Sequence, residues 1–375
     1  MDENPTGTHT SSDTPSFTDR LTTTIADCGL NTNASRLLAL QLLTASPTDI
    51  SSPSLHIVGT IGPGIDCHTL TNQLEECSPQ SCQYISADRV SLKQLFGTKS
   101  SPEDGYLLDP NVDITVIEAS AQTNQSVTKA LAQAMRSNTH QVYAQTIEEY
   151  PLQSKVLCLY RPKPTDVSTE QLLANELYPF VGAADVFADF YEASNDLNAE
   201  TLELTELPTD SADETISKLT SAEAQPVLSR IRSMRPSFSE AARSQYQTYR
   251  TTVKGPRRKL DSYTSDSPTE PKIRHLIESR LRDSIKPLAI AVARGNHRET
   301  VLPADVYAAI EQINQSRTYC EIYLSEAPFW VLHTDQVPEQ GISDRSRSEP
   351  SSKTYAETIL PFSERRSKSA RSKLD

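Results

Sequence analysis

Short apolar runs that alternate with helix-type segments constrain the fold of this chain more than any other feature. Five runs have strand character: LHIVG at 55–59, QYISA at 83–87, ITVIE at 114–118, KVLCLY at 155–160 and ADVFADFYE at 184–192. Helical periodicity predicts helices over 17–43, 66–77 and 124–137. Continuous apolar runs are typical of strands buried on both faces, and their alternation with helices indicates a parallel sheet. We therefore predict an α/β core over residues 18–195.

The rest of the chain has a different character. Residues 196–225 are acidic and irregular, which indicates a linker, and 226–332 predict a helical domain that ends in a strand. Apolar residues make up 36% of the chain with 11 glycines besides, so the apolar share is below the ~45–50% that is usual for globular proteins. We therefore expect the Ser- and Thr-rich leader, 1–17, and the tail with its basic end, 333–375, to be disordered.

Charge and cysteine usage exclude several classes of protein. The net charge of −13 excludes a generally basic nucleic-acid coat, so any DNA contact must come from a local basic patch. No apolar run reaches the ~18–20 residues of a membrane-spanning helix, and the first residues lack the pattern of a secretory signal. The 6 cysteines form no CxxC pair, so we expect no structural zinc site. These features favour a cytoplasmic protein.

A glycine-rich turn follows the first predicted strand. Gly59, Gly62 and Gly64 have the spacing GxxGxG and lie directly before a predicted helix. A phosphate-binding loop occupies this place in P-loop proteins, because glycine lets backbone N–H groups fold around a phosphate. A tight Gly-Pro-Gly turn without a ligand explains the same spacing, so the glycines alone leave both interpretations open.

The order of these segments adds a family resemblance. ALAQAMRSNT at 130–139 and LPADVYAAI at 302–310 are the two segments that carry it most clearly. In this order the segments resemble the AAA+ module of the minichromosome maintenance (MCM) replicative helicases, over residues 18–313. The resemblance implies a P-loop AAA+ parallel sheet covered by helices, then an all-helical lid, without the family's amino-terminal domain. It also implies ATP or ADP with Mg²⁺ as the ligand, and a ring oligomer.

The chain departs from the family's pattern at its catalytic positions. Ile65 stands at the position of the phosphate-binding lysine, and Asp66 at that of the Mg²⁺-binding hydroxyl. Ala119 replaces the glutamate that activates water. Arg161 takes the place of the sensor asparagine, and Ala183 that of the arginine finger. An arginine finger alone contributes roughly 10³–10⁵ to the rate, so these losses predict little or no ATP hydrolysis.

Other positions remain as candidate binding residues. The nucleotide-binding candidates are Gly59, Gly62, Gly64, Asp66, Glu118 and Arg280. Because the site has lost a lysine and gained Asp66 beside Glu118, we expect Arg161 to form an internal ion pair with one of the two carboxylates. The two carboxylates alone could instead form a new metal pair, but a relic site with paired or solvated carboxylates is the simpler interpretation. We predict no metal site.

Basic residues give candidate contacts outside the nucleotide site. The DNA-binding candidates are Lys254, Arg257, Arg258 and Lys259. A solvated charged loop explains this cluster equally well, and the basic tail end is more often only solubilising.

Three functions are compatible with the sequence. The leading prediction is an MCM-like paralogue that does not hydrolyse ATP and binds replication or recombination proteins, or DNA, as a structural or regulatory subunit. One alternative is an active ATP-dependent helicase subunit of an MCM-type ring. The other is a protein–protein scaffold without a nucleic-acid role. The lost catalytic residues favour the first over the helicase, while the sequence does not separate the first from the scaffold.

Overall fold

The computed structural model describes residues 15–49, 54–62, 64–98, 100–143, 147–161, 180, 183–190, 216–252 and 270–315. The helices are α1 (Phe17–Ala26), α2 (Thr32–Leu43), α3 (Cys67–Cys77), α4 (Leu92–Phe96), α5 (Gln125–Ser137), α6 (Ser221–Ser233), α7 (Glu240–Thr252), α8 (Glu270–Gly295) and α9 (Pro303–Gln315). The strands are β1 (Ile57–Ile61), β2 (Ser81–Ser86), β3 (Val112–Ser120), β4 (Thr139–Tyr143), β5 (Ile147–Pro151), β6 (Lys155–Arg161), β7 (Val186–Phe190), β8 (Ser237–Phe238) and β9 (Thr300–Val301).

Five parallel strands form the central sheet in the order β2-β3-β6-β1-β7. All five residues of β1 are buried, and β6 is buried up to its last residue, as expected for central strands that are covered on both faces. The predicted α/β fold with a parallel sheet is therefore confirmed. Although β1 comes first in the chain, it lies between β6 and β7 in the sheet. From β1 the chain passes to the edge strand β2, returns through β3 and β6, and reaches the opposite edge at β7.

Helix ends follow ordinary capping chemistry. Ser16 caps α1 through a reciprocal bond pattern with Asp19, which explains why the helix begins at Phe17. Asn31 accepts a hydrogen bond from the Ala34 N–H and starts α2. Both helices belong to the buried core, where α2 has nine buried residues. They pack against α8, so the amino-terminal and carboxy-terminal helices lie together.

The structure differs from the sequence predictions in three places. Residues 139–151 form an antiparallel hairpin, β4–β5, which the sequence analysis did not predict. The short helix α4 between β2 and β3 was not predicted either. Helix α6 begins at Ser221, inside the predicted linker, because Thr220 and Glu223 form a capping box there.

In the region predicted as a helical domain, 226–332, the described residues contain α6 to α9 and the two-residue strands β8 and β9. Of the predicted disordered leader, 1–17, residues 1–14 lie outside the described residues, while Ser16 caps α1 and Phe17 begins it. The predicted tail 333–375, the basic clusters and the predicted terminal strand also lie outside the described residues. No helix among the described residues combines the length and apolar character that crossing a lipid bilayer requires.

Candidate functional site

The glycine-rich turn lies at the carboxyl edge of the sheet. It joins the end of β1 to the start of α3, where the Gly62 N–H donates to the carbonyl of Phe190 (3.0 Å) and the Ile65 N–H to the carbonyl of Gly62 (3.3 Å). Ligands of open parallel α/β sheets bind at this edge. The turn therefore occupies the part of the fold in which a nucleotide site is expected.

Gly59 is a strand residue. It lies in the middle of β1, two positions before the strand ends. A Cβ at this position would lie 2.4 Å from the ring of Phe190 and 2.6 Å from the carbonyl oxygen of Ala188. The glycine therefore permits close packing of β7 against β1, and this packing explains Gly59 without any phosphate.

Arg161 fills the space between the turn and the sheet. It is the last residue of β6, and its Nε donates to Oε1 of Glu118 on β3 at 2.6 Å. Its Nη1 donates to the carbonyl of Gly62 (3.2 Å) and its Nη2 to the carbonyl of Ile65 (3.1 Å). The turn thus directs two carbonyl oxygens at a cation, whereas a phosphate-binding loop directs N–H groups at an anion.

Both oxygens of the Glu118 carboxylate are engaged. Oε2 accepts a hydrogen bond of 2.6 Å from the hydroxyl of Tyr84 on β2, and Oε1 accepts from Arg161. Burial, together with this hydrogen bond and the charge of Glu118, raises the pKa of Tyr84, which keeps the phenol protonated as a donor. Sequence analysis did not identify Tyr84. The feature of the sequence that could have identified Tyr84 is its position near the end of β2, the strand that pairs with β3.

Asp66 acts as the amino-terminal cap of α3. Its carboxylate accepts from the N–H groups of His68 (3.3 Å) and Thr69 (3.0 Å) and from the Thr69 hydroxyl (2.7 Å). The bonds from the hydroxyl and the N–H of Thr69 lower the pKa of Asp66. The first-turn donors that would otherwise face a phosphate are thus occupied by a side chain of the chain itself. Of the two expected partners of Arg161, the structure pairs it with Glu118.

The remaining degenerate positions are apolar and buried. Ile65 is 3% exposed and belongs to the core, while Ala119 lies inside β3 beside Tyr160. Ala183 is buried as well, and its N–H donates to the carbonyl of Phe180 (2.8 Å). Arg280 lies in α8, and its side chain is outside the described part. Lys254, Arg257, Arg258 and Lys259 are outside it too.

Cys67, the first residue of α3, lies under the ion pair and is buried. Burial, and then the charge of Glu118, raises its pKa to about 12. Burial raises the pKa of Cys158 to about 12 as well. These thiols therefore remain protonated and make poor nucleophiles or metal ligands near neutral pH.

The residues present do not fit Mg²⁺ with a nucleoside triphosphate. Arg161 is neutralised by Glu118, Asp66 adds a negative charge at the start of α3, and two carbonyl oxygens face inward. Among the described residues, no group of three or more His, Cys, Asp or Glu side chains is placed to hold a metal ion. The arrangement is an internally paired, partly exposed site.

A second depression, of about 550 Å³, lies between residues 88–94 and the start of α5. Two of its polar side chains are bonded within the chain: Asp88 accepts from the hydroxyls of Ser120 and Thr123, and Asn124 accepts from the N–H of Ser126. These groups therefore give no sign of a particular ligand.

Comparison of the chain with models of protein families and with curated proteins gave no match.

Proposed function

We propose that this chain is a degenerate AAA+ protein of MCM type that does not hydrolyse ATP and serves as a structural or regulatory subunit for replication or recombination proteins. The observation that carries the proposal is the guanidinium of Arg161, which is paired with Glu118 and bonded to the carbonyls of Gly62 and Ile65. A cation of the chain itself occupies the place at which a P-loop protein would bind the metal and phosphates of its nucleotide.

The architecture supports the AAA+ ancestry. The parallel sheet β2-β3-β6-β1-β7 is compatible with an AAA+ core, and the helices α6 to α9 follow the sheet in the chain as a lid would. The turn before α3, Glu118 on β3 and Arg161 at the end of β6 meet at one edge, as the resemblance requires of its nucleotide-binding strands. The assignment is based on this topology and on the sequence resemblance.

The internally paired site supports the loss of hydrolysis. A residue that polarises water is absent at Ala119, which is buried within β3. Ala183 is buried and has no charge to offer a neighbouring subunit. With a net charge of −13, the surface favours protein partners over DNA, and DNA contact would require the cluster at 254–259.

Nucleotide titration tests the loss of function. We expect no heat in calorimetry, and no shift of the melting temperature, with millimolar ATP or ADP and Mg²⁺, because a ligand that binds the native state raises its stability by RT ln(1 + [L]/Kd). The control is a variant with the family's residues restored, Ile65→Lys with Asp66→Ser and Arg161→Asn, after its folding is checked by circular dichroism. Tight binding of Mg-ATP or ATP turnover by the unaltered chain would overturn the proposal.

Partner capture tests the positive role. The full chain is immobilised and exposed to purified replicative helicase subunits, with and without DNA. We expect retention of the helicase proteins that persists when residues 254–259 are neutralised by alanine substitution. Binding of DNA alone that depends on salt and on this cluster would favour a nucleic-acid role instead. Retention of neither would favour an unrelated scaffold.

A further inference from the structure

The carboxyl end of α2 is buried in the centre of the protein. The last carbonyl groups of a helix have no partner within that helix, so at a buried end other groups must satisfy them. Three cations do so: Lys155 from β6, Arg232 from α6 and Arg294 from α8. The acceptors are the carbonyls of Gln41, Leu42, Leu43 and Thr44. Positive charge is favourable at this end of a helix dipole.

One carboxylate holds two of these cations in place. Oδ1 of Asp113 on β3 lies 3.0 Å from Nζ of Lys155, and its Oδ2 lies 2.6 Å from Nη2 of Arg232. The Ser78 hydroxyl donates to the same Oδ2 at 2.7 Å. The side chains of Lys155, Asp113 and Arg232 are 0%, 2% and 12% exposed. This cluster lies at the starts of β3 and β6, at the opposite edge of the sheet from the glycine-rich turn.

Arg294 joins three helices. Its side chain is fully buried, and besides the α2 carbonyl it donates to the carbonyls of Arg232 (3.3 Å) and Met234 (2.8 Å) at the end of α6. The last residue of α8 is Gly295, where a Cβ would lie 2.1 Å from Oγ1 of Thr18 on α1. The end of α8 is thus fitted closely between α1, α2 and α6.

A second contact lies about three turns earlier on α8. The hydroxyl of Ser284 donates to the carbonyl of Asp185, directly before β7, and both residues are buried. α8 is therefore attached to the core at two places. A rotation of the helices away from the sheet would leave buried carbonyls and buried cations without partners, which is strongly unfavourable.

From these contacts we propose that helices α6 and α8 are clamped to the α/β core at the carboxyl end of α2 and do not move as a lid. The chain then presents one fixed surface to its partners. The inference rests on the proposed function only in calling this region a lid, since the contacts lie away from the nucleotide site.

Native-state hydrogen exchange of the full chain tests the clamp. We expect residues 284–295, the last turns of α2 and strand β6 to exchange through one shared opening, with protection factors within about tenfold of one another. Arg294→Met should lower protection in all three segments together. Arg230→Met is the matched control, because Arg230 is exposed on the same helix as Arg232 and should change none of them.

Two results would overturn the clamp. One is exchange of 284–295 more than tenfold faster than that of β6 in the unaltered chain, which shows a helix that opens separately. The other is an Arg294→Met variant that loses protection only at 284–295, or nowhere. Should this variant not fold, the exchange of the unaltered chain decides alone. Nucleotide binding in the titration above would refute the proposed function while leaving a shared opening intact, so the two failures are distinguishable.

Discussion

Nε of Arg161 lies 2.6 Å from Oε1 of Glu118, and this ion pair joins the ends of two adjacent parallel strands, β6 and β3. The same guanidinium holds the turn after β1 through two carbonyl groups. One arginine therefore ties three strand ends together at the edge where such folds bind ligands. The geometry gives Arg161 a structural role, and that role can be measured separately from nucleotide binding.

Replacing this arginine should destabilise the protein. Arg161→Met removes the charge and leaves Glu118 and the carbonyls of Gly62 and Ile65 without their partner. We expect the free energy of unfolding to fall by about 1–3 kcal/mol, the usual cost of partly buried polar groups that lose a charged donor. Urea unfolding followed by circular dichroism measures it. Lys129→Met, at an exposed position of α5, is the control, and equal losses in the two variants would contradict the prediction.

Asp66 should behave as a helix cap. Asp66→Ala removes the acceptor for the N–H groups of His68 and Thr69, and we expect a loss of about 1 kcal/mol. Asp66→Asn keeps an acceptor oxygen and should lose much less. Thermal or urea unfolding of the two variants, with and without Mg²⁺, provides the measurement. A metal site would reverse the pattern, because Asn would then abolish a stabilisation by Mg²⁺ that the unaltered chain shows.

The parallel sheet could be predicted because its strands are continuous apolar runs, a local signal. The β4–β5 hairpin could not, because THQVY and IEEYP are short and largely polar, and the second ends at Pro151. Arg161 was predicted as an internal counter-ion from charge alone. The choice of Glu118 over Asp66 required the structure, since Asp66 is occupied by the first turn of α3.

The buried cluster shows a different limit. In the sequence, Asp113, Lys155, Arg232 and Arg294 are far apart and are of residue types that are usually exposed. Nothing local marks them as core residues, because the partners that permit their burial are backbone carbonyls of α2 and one another. The role of Gly59 in strand packing is hidden from the sequence for a related reason: the ring of Phe190 that requires a glycine there lies 131 positions along the chain.

Acid should weaken the protein through Asp113. Burial raises the pKa of this carboxyl, but Arg232 and Lys155 outweigh it and hold the pKa at about 2, against 3.8 ordinarily. The unfolded chain therefore binds the proton at higher pH than the folded chain. The contribution of this pKa shift to the free energy of unfolding is complete above about pH 4 and is lost as the pH falls towards 2. At ~1.4 kcal/mol for each unit of pKa shift, the loss is about 2–3 kcal/mol.

Urea unfolding between pH 2 and 7 measures this loss. Asp113→Asn should be less stable at pH 7, and its stability should depend less on pH between 4 and 2. Asp104→Asn, at an exposed position, should retain the slope of the unaltered chain. An unchanged slope in Asp113→Asn would show that other carboxylates cause the acid sensitivity.

Gly59→Ala should destabilise the protein more than Gly29→Ala. The new methyl group would lie 2.4 Å from the Phe190 ring and 2.6 Å from the Ala188 carbonyl, so β7 must move away from β1. We expect a loss of about 3 kcal/mol or more, the upper part of the range for overpacked cores.

Gly29→Ala is the control: nothing lies within 4 Å, and only its φ of +84° opposes the change, at about 1–2 kcal/mol. Combining Gly59→Ala with Phe190→Leu should recover part of the stability, because it removes the ring contact and leaves the Ala188 one. If Gly59→Ala proves as mild as Gly29→Ala in urea unfolding, β7 does not pack against Gly59 as described, and a role for this glycine in the turn regains support.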